Sequence, residues 1–180
     1  MSGERIRCFV ALDLPGAFRD EATRVQAALR ERDLFHGRYT ARTNIHLTLK
    51  FLGELTPGQV KQAAVVLRGI RFPVCEVRLG GAGMFAPRII WLKLVGADFF
   101  QARVDSELAA WFEPEARFMG HLTIARIKSA RDPVALASAV EGLEIAPLTG
   151  PANSCSLFRS VLNPEGPRYE LLERFEFCHD

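Results

Sequence analysis

His46 and His121 open two tetrads of the same form, HLTL (46–49) and HLTI (121–124), 75 positions apart. The chain holds four histidines and seven threonines among 180 residues. At that composition, two His-x-Thr frames arise by chance on the order of 1% of the time, which makes the pair moderately specific as a motif. Imidazole titrates near neutral pH, so one ring of a facing pair can be neutral while the other is protonated. The neutral ring accepts a proton from an attacking hydroxyl; the protonated ring gives one to a departing alkoxide. Two threonine hydroxyls between them can hydrogen-bond phosphate oxygens. The pair of His-x-Thr frames offers only two strong metal ligands, and no acidic cluster stands near either motif, so the pattern points away from a zinc site. His36, in a polar turn, and His179, at the tail, are expected on the surface.

For this chemistry each tetrad must be a strand, because side chains at i and i+2 then share a face. His46 and Thr48 share one face, with Lys50 next along it; Leu47, Leu49 and Phe51 take the core face. His121 and Thr123 repeat the arrangement, with Leu122 and Ile124 anchoring the strand behind them. Lys50 is expected to be solvated, with RNA phosphate as the functional alternative. Strict alternation puts Arg126 on the core face unless a twist or bulge intervenes.

The surrounding elements come in a repeated order. IRCFVALDL (6–14) reads as a strand, and Pro15 opens a helix to about residue 32 with Phe18, Val25 and Leu29 on one side. NIHLTLKFLG (44–53) alternates as a strand, and TPGQ (56–59) is a capping box starting a helix to about residue 68. FPVCEVRLGGAGMF reads as a strand entering a glycine-rich turn. RIIWLKLV (88–95) then begins the order again. Asp98 is expected to cap a helix bearing Phe99, Val104, Leu108 and Phe112. GHLTIARI (120–127) follows as a strand, and DPVALASAV (132–140) as a capped helix. SCSLFRSVL and RYELLERFEF close the chain as two strands around NPEG. The first helical proline falls 11 residues after His46 and 12 after His121. The expected architecture is α+β: a bilobal, duplicated unit of antiparallel sheets with outer helices and a central groove, residues 1–180 forming one two-lobed domain.

The hydrophobic fraction of 48% and charged fraction of 24% suit a soluble globular chain. No apolar run reaches the length of a membrane span, since IIWLKLVG is interrupted by Lys93, and the first fifteen residues lack a signal-peptide pattern. Cys8, Cys75, Cys155 and Cys178 form no C-x-x-C pair and read as reduced thiols of a cytoplasmic protein. A net charge of +2 does not by itself select nucleic acid.

Five blocks in order carry a resemblance: RCFVALDLP, NIHLTLKFLGE, GAGMFAPRIIWLKL, FMGHLTIARIK and LFRSVLNPEGPRYELL. Over nearly its whole length the chain resembles the two-histidine phosphoesterases, most closely the RNA 2',3'-cyclic phosphodiesterases, also called 2'-5' RNA ligases. The resemblance implies His46 as proton donor and His121 as proton acceptor, with Thr48, Thr123 and Arg126 binding substrate phosphate. It implies hydrolysis of a terminal 2',3'-cyclic phosphate to a 2'-phosphate, and in some members the reverse 2'-5' ligation. No cofactor or metal is implied; the expected partner is RNA with cyclic phosphate ends or a cyclic nucleotide, with no membrane, and the chain is expected to act as a monomer. Gly120 departs from the proline frequent before the second histidine, which suggests a looser start to that strand. Tyr169 and Phe51 are possible stacking surfaces for a base, core packing being the alternative for both. Two other readings keep the fold: a phosphodiesterase of small cyclic nucleotides, and a non-catalytic nucleotide- or RNA-binding module.

Overall fold

The computed structural model describes residues 5–164 and 166–177; Cys178 and His179 lie outside them. The described chain runs β1 (Ile6–Leu12), α1 (Gly16–Arg32), β2 (Phe35–Tyr39), a single 3-10 turn (Arg42–Asn44), β3 (Leu47–Leu55), α2 (Pro57–Gly69), β4 (Cys75–Phe85) and β5 (Ile89–Val95). It continues with α3 (Asp98–Leu108), β6 (His121–Ala130), α4 (Pro133–Glu141), β7 (Thr149–Ala152), β8 (Ser154–Val161) and β9 (Arg168–Glu176).

Two antiparallel sheets result. One has the order β3-β1-β8-β9, the other β2-β6-β5-β4-β7. Leaving β2 aside, the second sheet repeats the first: an H-L-T strand, the strand that opened its half, then two more. The fold is α+β with the duplication expected from element order. The helices add something the order does not reveal. α1 packs on β6 and α3 packs on β3, so each half lends its first helix to the other half's sheet.

Local signals explain most boundaries. Thr56 closes a capping box with Gln59, and Pro57 supplies the first helical residue of α2. Asp132 accepts hydrogen bonds from the Val134 and Ala135 amides to start α4. Phe18, Val25 and Leu29 of α1 are buried as their spacing requires.

Four expectations need correction. Asp98 is the first residue of α3 and Ala97 precedes it, with no side-chain cap hydrogen bond. On that helix Phe100 is buried while Phe99 is 52% exposed, and Phe112 follows the helix end. The glycines of LGGAGMF continue β4 instead of turning it. A register shift between Leu79 and Ala82 absorbs them, and Gly83 leaves room for Trp91, whose ring atoms stand 2.4 Å from where a Cβ would lie. His36 sits exposed in β2, a short polar strand without apolar alternation. β7, TGPA, is also an edge strand, where proline is tolerated because one side needs no ladder partner. Among the described residues no helix is long and apolar enough to cross a membrane.

Candidate active site

The imidazoles of His46 and His121 line one groove of about 1230 Å³ between the sheets, together with Thr48, Thr123, Arg126 and Tyr169. β3 and β6 approach each other there. The two rings are held in the same way. His46 Nδ1 lies 2.7 Å from the Asn44 carbonyl oxygen, and His121 Nδ1 lies 2.8 Å from the Met119 carbonyl oxygen. A carbonyl only accepts, so each Nδ1 carries the hydrogen, and each neutral ring offers Nε2 as the base. Asn44 does double duty, because its Nδ2 donates to the Pro167 carbonyl at 2.7 Å and ties the β8–β9 hairpin to the His46 strand. The same hairpin reaches the other sheet, where Arg38 of β2 donates to the Pro164 carbonyl at 2.9 Å.

Aromatic rings back both histidines. Phe9 lies 4.8 Å from His46 between centroids, Tyr169 meets it edge-on at 5.1 Å, and Phe85 meets His121 edge-on at 5.0 Å. Thr48 Oγ1 is 2.9 Å from His46 Nε2 and donates to it when the ring is neutral. Burial pushes the His46 ring down to about 4, aided by the charges of Arg19, His121 and Arg126 and opposed by the Asn44 carbonyl. At neutral pH the ring of the free protein is therefore uncharged. Burial also raises the Tyr169 phenol, with Arg126 and Arg7 acting in the opposite direction.

A bulge follows each motif. In β3, Ala11 pairs with Thr48 and Val10 with Lys50, so Leu49 is unpaired. In β6, Trp91 pairs with Thr123 and Ile90 with Ala125, so Ile124 is unpaired. Each extra residue shifts the alternation by one. Arg126 thereby returns to the exposed groove side, which resolves the conflict that strict alternation raised. The same shift overturns the expectations for Lys50 and Phe51. Lys50 is 3% exposed, paired with Asp105 of α3 and donating to the Glu113 carbonyl at 2.7 Å. Phe51 is 65% exposed and lines the groove. Tyr169 also lines the groove and is part-buried.

The exchanged helices brace both bulges. Gln26 of α1 donates from Nε2 to the carbonyls of Thr40 and of the bulged Ile124, both at 2.8 Å. Asp105 of α3 takes the Lys50 ammonium beside the bulged Leu49. Sequence reading missed Asn44, Gln26 and Asp105; for the last two the available signal was a polar residue directly beside the apolar stripe of its helix, Gln26 next to Val25 and Asp105 next to Val104. The start of β6 is pinned, contrary to the looser start expected from Gly120. The Leu94 amide donates to the Gly120 carbonyl at 2.8 Å, and a Cβ on Gly120 would lie 2.4 Å from the Leu94 oxygen.

Comparison with known proteins adds kinship. A family model described as LigT like phosphoesterase matches residues 12–91 and 98–169. The chain is 30% identical over 184 residues to an RNA 2',3'-cyclic phosphodiesterase of Methanothermobacter thermautotrophicus, spanning 95% of this chain and 98% of that relative. The crystal structure of E. coli LigT complexed with 3'-AMP superposes with a TM-score of 0.74 at 26% identity, covering 98% of this chain and 100% of that one. The crystal structure of a Thermus thermophilus protein, TT0787, shares the fold with a TM-score of 0.79 at 24% identity over 97% of this chain and 99% of its own.

Proposed function

The chain belongs to the LigT-like phosphoesterase family, and from that premise we propose that it is a metal-independent RNA 2',3'-cyclic phosphodiesterase. The observation that carries this reading is the matched pair of imidazoles, each fixed through Nδ1 on a carbonyl two residues earlier and each lining one groove. A binding module needs no such matched pair of proton carriers.

In the proposed reaction His121 Nε2 takes a proton from water as its oxygen attacks phosphorus. The P–O3' bond breaks, and His46 gives a proton to the leaving 3' oxygen. A 2'-phosphate remains, the two rings have exchanged protonation states, and exchange with solvent restores them. Thr48, Thr123 and Arg126 hold the phosphate oxygens. His46 must acquire its proton as substrate binds. An anionic phosphodiester beside the ring offsets the burial and the neighbouring cations that keep it neutral in the free protein. With an RNA 5'-hydroxyl in place of water, attack on the cyclic phosphate forms a 2'-5' bond at the same site. Residues 1–180 act as a single two-lobed monomer in the cytoplasm.

The test is turnover of a cyclic-phosphate-ended RNA with the product's phosphate position read by phosphorus NMR. A 2'-phosphate supports the reading. A 3'-phosphate, or no turnover, overturns it. Turnover confined to small cyclic nucleotides would move the reading to that substrate class.

A further inference from the structure

Phe51 and Arg126 occupy equivalent places, each the fifth residue after its histidine and each turned to the groove by the bulge before it. One half thus supplies an aromatic ring where the other supplies a cation. The groove wall beyond Phe51 continues this difference. Phe9 pairs with Phe51 across β1 and β3, with their ring centroids 6.2 Å apart. Arg7, two residues further along β1, shares the face of Phe9, about 7 Å along the strand. It is exposed and lines the groove, and its guanidinium has no hydrogen bond or ion pair among the described residues. Arg7, Arg126 and Tyr169 line the same groove, and both cations favour the charged phenol of Tyr169 against its burial.

We propose that this wall is a subsite for the nucleoside bearing the cyclic phosphate, with Phe51 stacking on its base and Arg7 pairing with the phosphate on its 5' side. The inference rests on the cyclic phosphodiesterase reading and deepens it. In that reaction the 3' oxygen belongs to the terminal nucleoside and receives its proton from His46. The ribose therefore lies on the His46 side, within reach of the exposed Phe51 ring, while water enters beside His121. A flat exposed ring accepts any base. An unpaired guanidinium beyond it suits a phosphodiester oxygen. A nucleoside 2',3'-cyclic phosphate has no such second phosphate; an RNA end does.

The experiment compares adenosine 2',3'-cyclic phosphate with the dinucleotide ApA ending in a 2',3'-cyclic phosphate. kcat/KM is measured for the wild type, Arg7→Gln, Phe51→Leu and, as a surface-charge control, Arg103→Gln. The wild type is expected to prefer the dinucleotide by about tenfold or more. Arg7→Gln brings that ratio close to one, and Arg103→Gln keeps it at the wild-type value. Phe51→Leu retains apolar bulk, loses the π face, and lowers kcat/KM for both substrates by roughly fivefold or more. Calorimetry with the 2'-phosphate forms of both compounds runs in parallel. If neither cyclic substrate turns over yet the affinity ratio depends on Arg7, the reaction is wrong and the subsite stands. A wild-type ratio near one, or a ratio indifferent to Arg7→Gln, overturns the subsite.

Discussion

Asn44 and Met119 stand in the same relation to the two site histidines: each offers its backbone carbonyl to the Nδ1 of the ring two residues later, at 2.7 and 2.8 Å. The shared anchor sets one tautomer for both rings.

Replacing either ring removes one proton carrier without emptying the core, because both side chains are only part-buried. His46→Ala and His121→Ala are each expected to lower kcat by roughly 10²–10⁴-fold with the circular dichroism spectrum and melting behaviour retained. A substrate whose 3' oxygen is replaced by sulfur needs no acid for departure. It should restore His46→Ala and leave His121→Ala slow. Rescue of His121→Ala instead would exchange the two roles.

Proton linkage tests the electrostatics of His46. In the free protein its ring is neutral above about pH 4, and a bound phosphate monoester favours the charged ring. Binding at pH 6 should therefore take up a proton, seen as a buffer-dependent enthalpy in calorimetry and absent in His46→Gln. Affinity should fall as pH rises through the bound-state value.

The same ring also links folding to pH. Its folded value lies below the ordinary histidine value of 6.5, so the unfolded chain binds the extra proton. The contribution of His46 to stability is complete above about pH 6.5 and is lost as pH falls toward 4. Urea unfolding across this window should be less pH-dependent in His46→Gln than in the wild type.

Lys50 and Asp105 are an ion pair between β3 and a helix lent by the other half. Lys50→Ala leaves a largely buried carboxylate without its cation and is expected to cost about 3–5 kcal/mol in chemical unfolding. Replacing both partners, as Lys50→Met with Asp105→Leu, should recover most of that loss. A double variant as unstable as the single one would contradict this account.

Chelation offers an independent check on the chemistry. Each H-x-T strand presents one strong metal donor and a hydroxyl, and no group of three histidine, cysteine or acidic side chains converges among the described residues. The rate with a cyclic-phosphate substrate is expected to be the same before and after EDTA treatment; a strong loss restored by a divalent cation would require a metal in the mechanism.

The residues fixed a good deal on their own. The repeated H-L-T frame identified both histidines and threonines, and the capped helices after them exposed the duplication, because caps, prolines and period-2 alternation act over a few neighbouring residues. Those local rules also explain the failures. Strict alternation puts Lys50 and Phe51 on the wrong faces and sets Arg126 in conflict, since a single unpaired residue in the ladder reverses the positions that directly follow it. Nothing in HLTLKF or HLTIAR announces that bulge. It is stabilised from a distance, by Gln26 on the Ile124 carbonyl and by Asp105 on Lys50, through helices that cross to the opposite half. Which side chains reach the groove was therefore decided by contacts between residues 55 and 98 positions apart, where only the assembled tertiary structure can act.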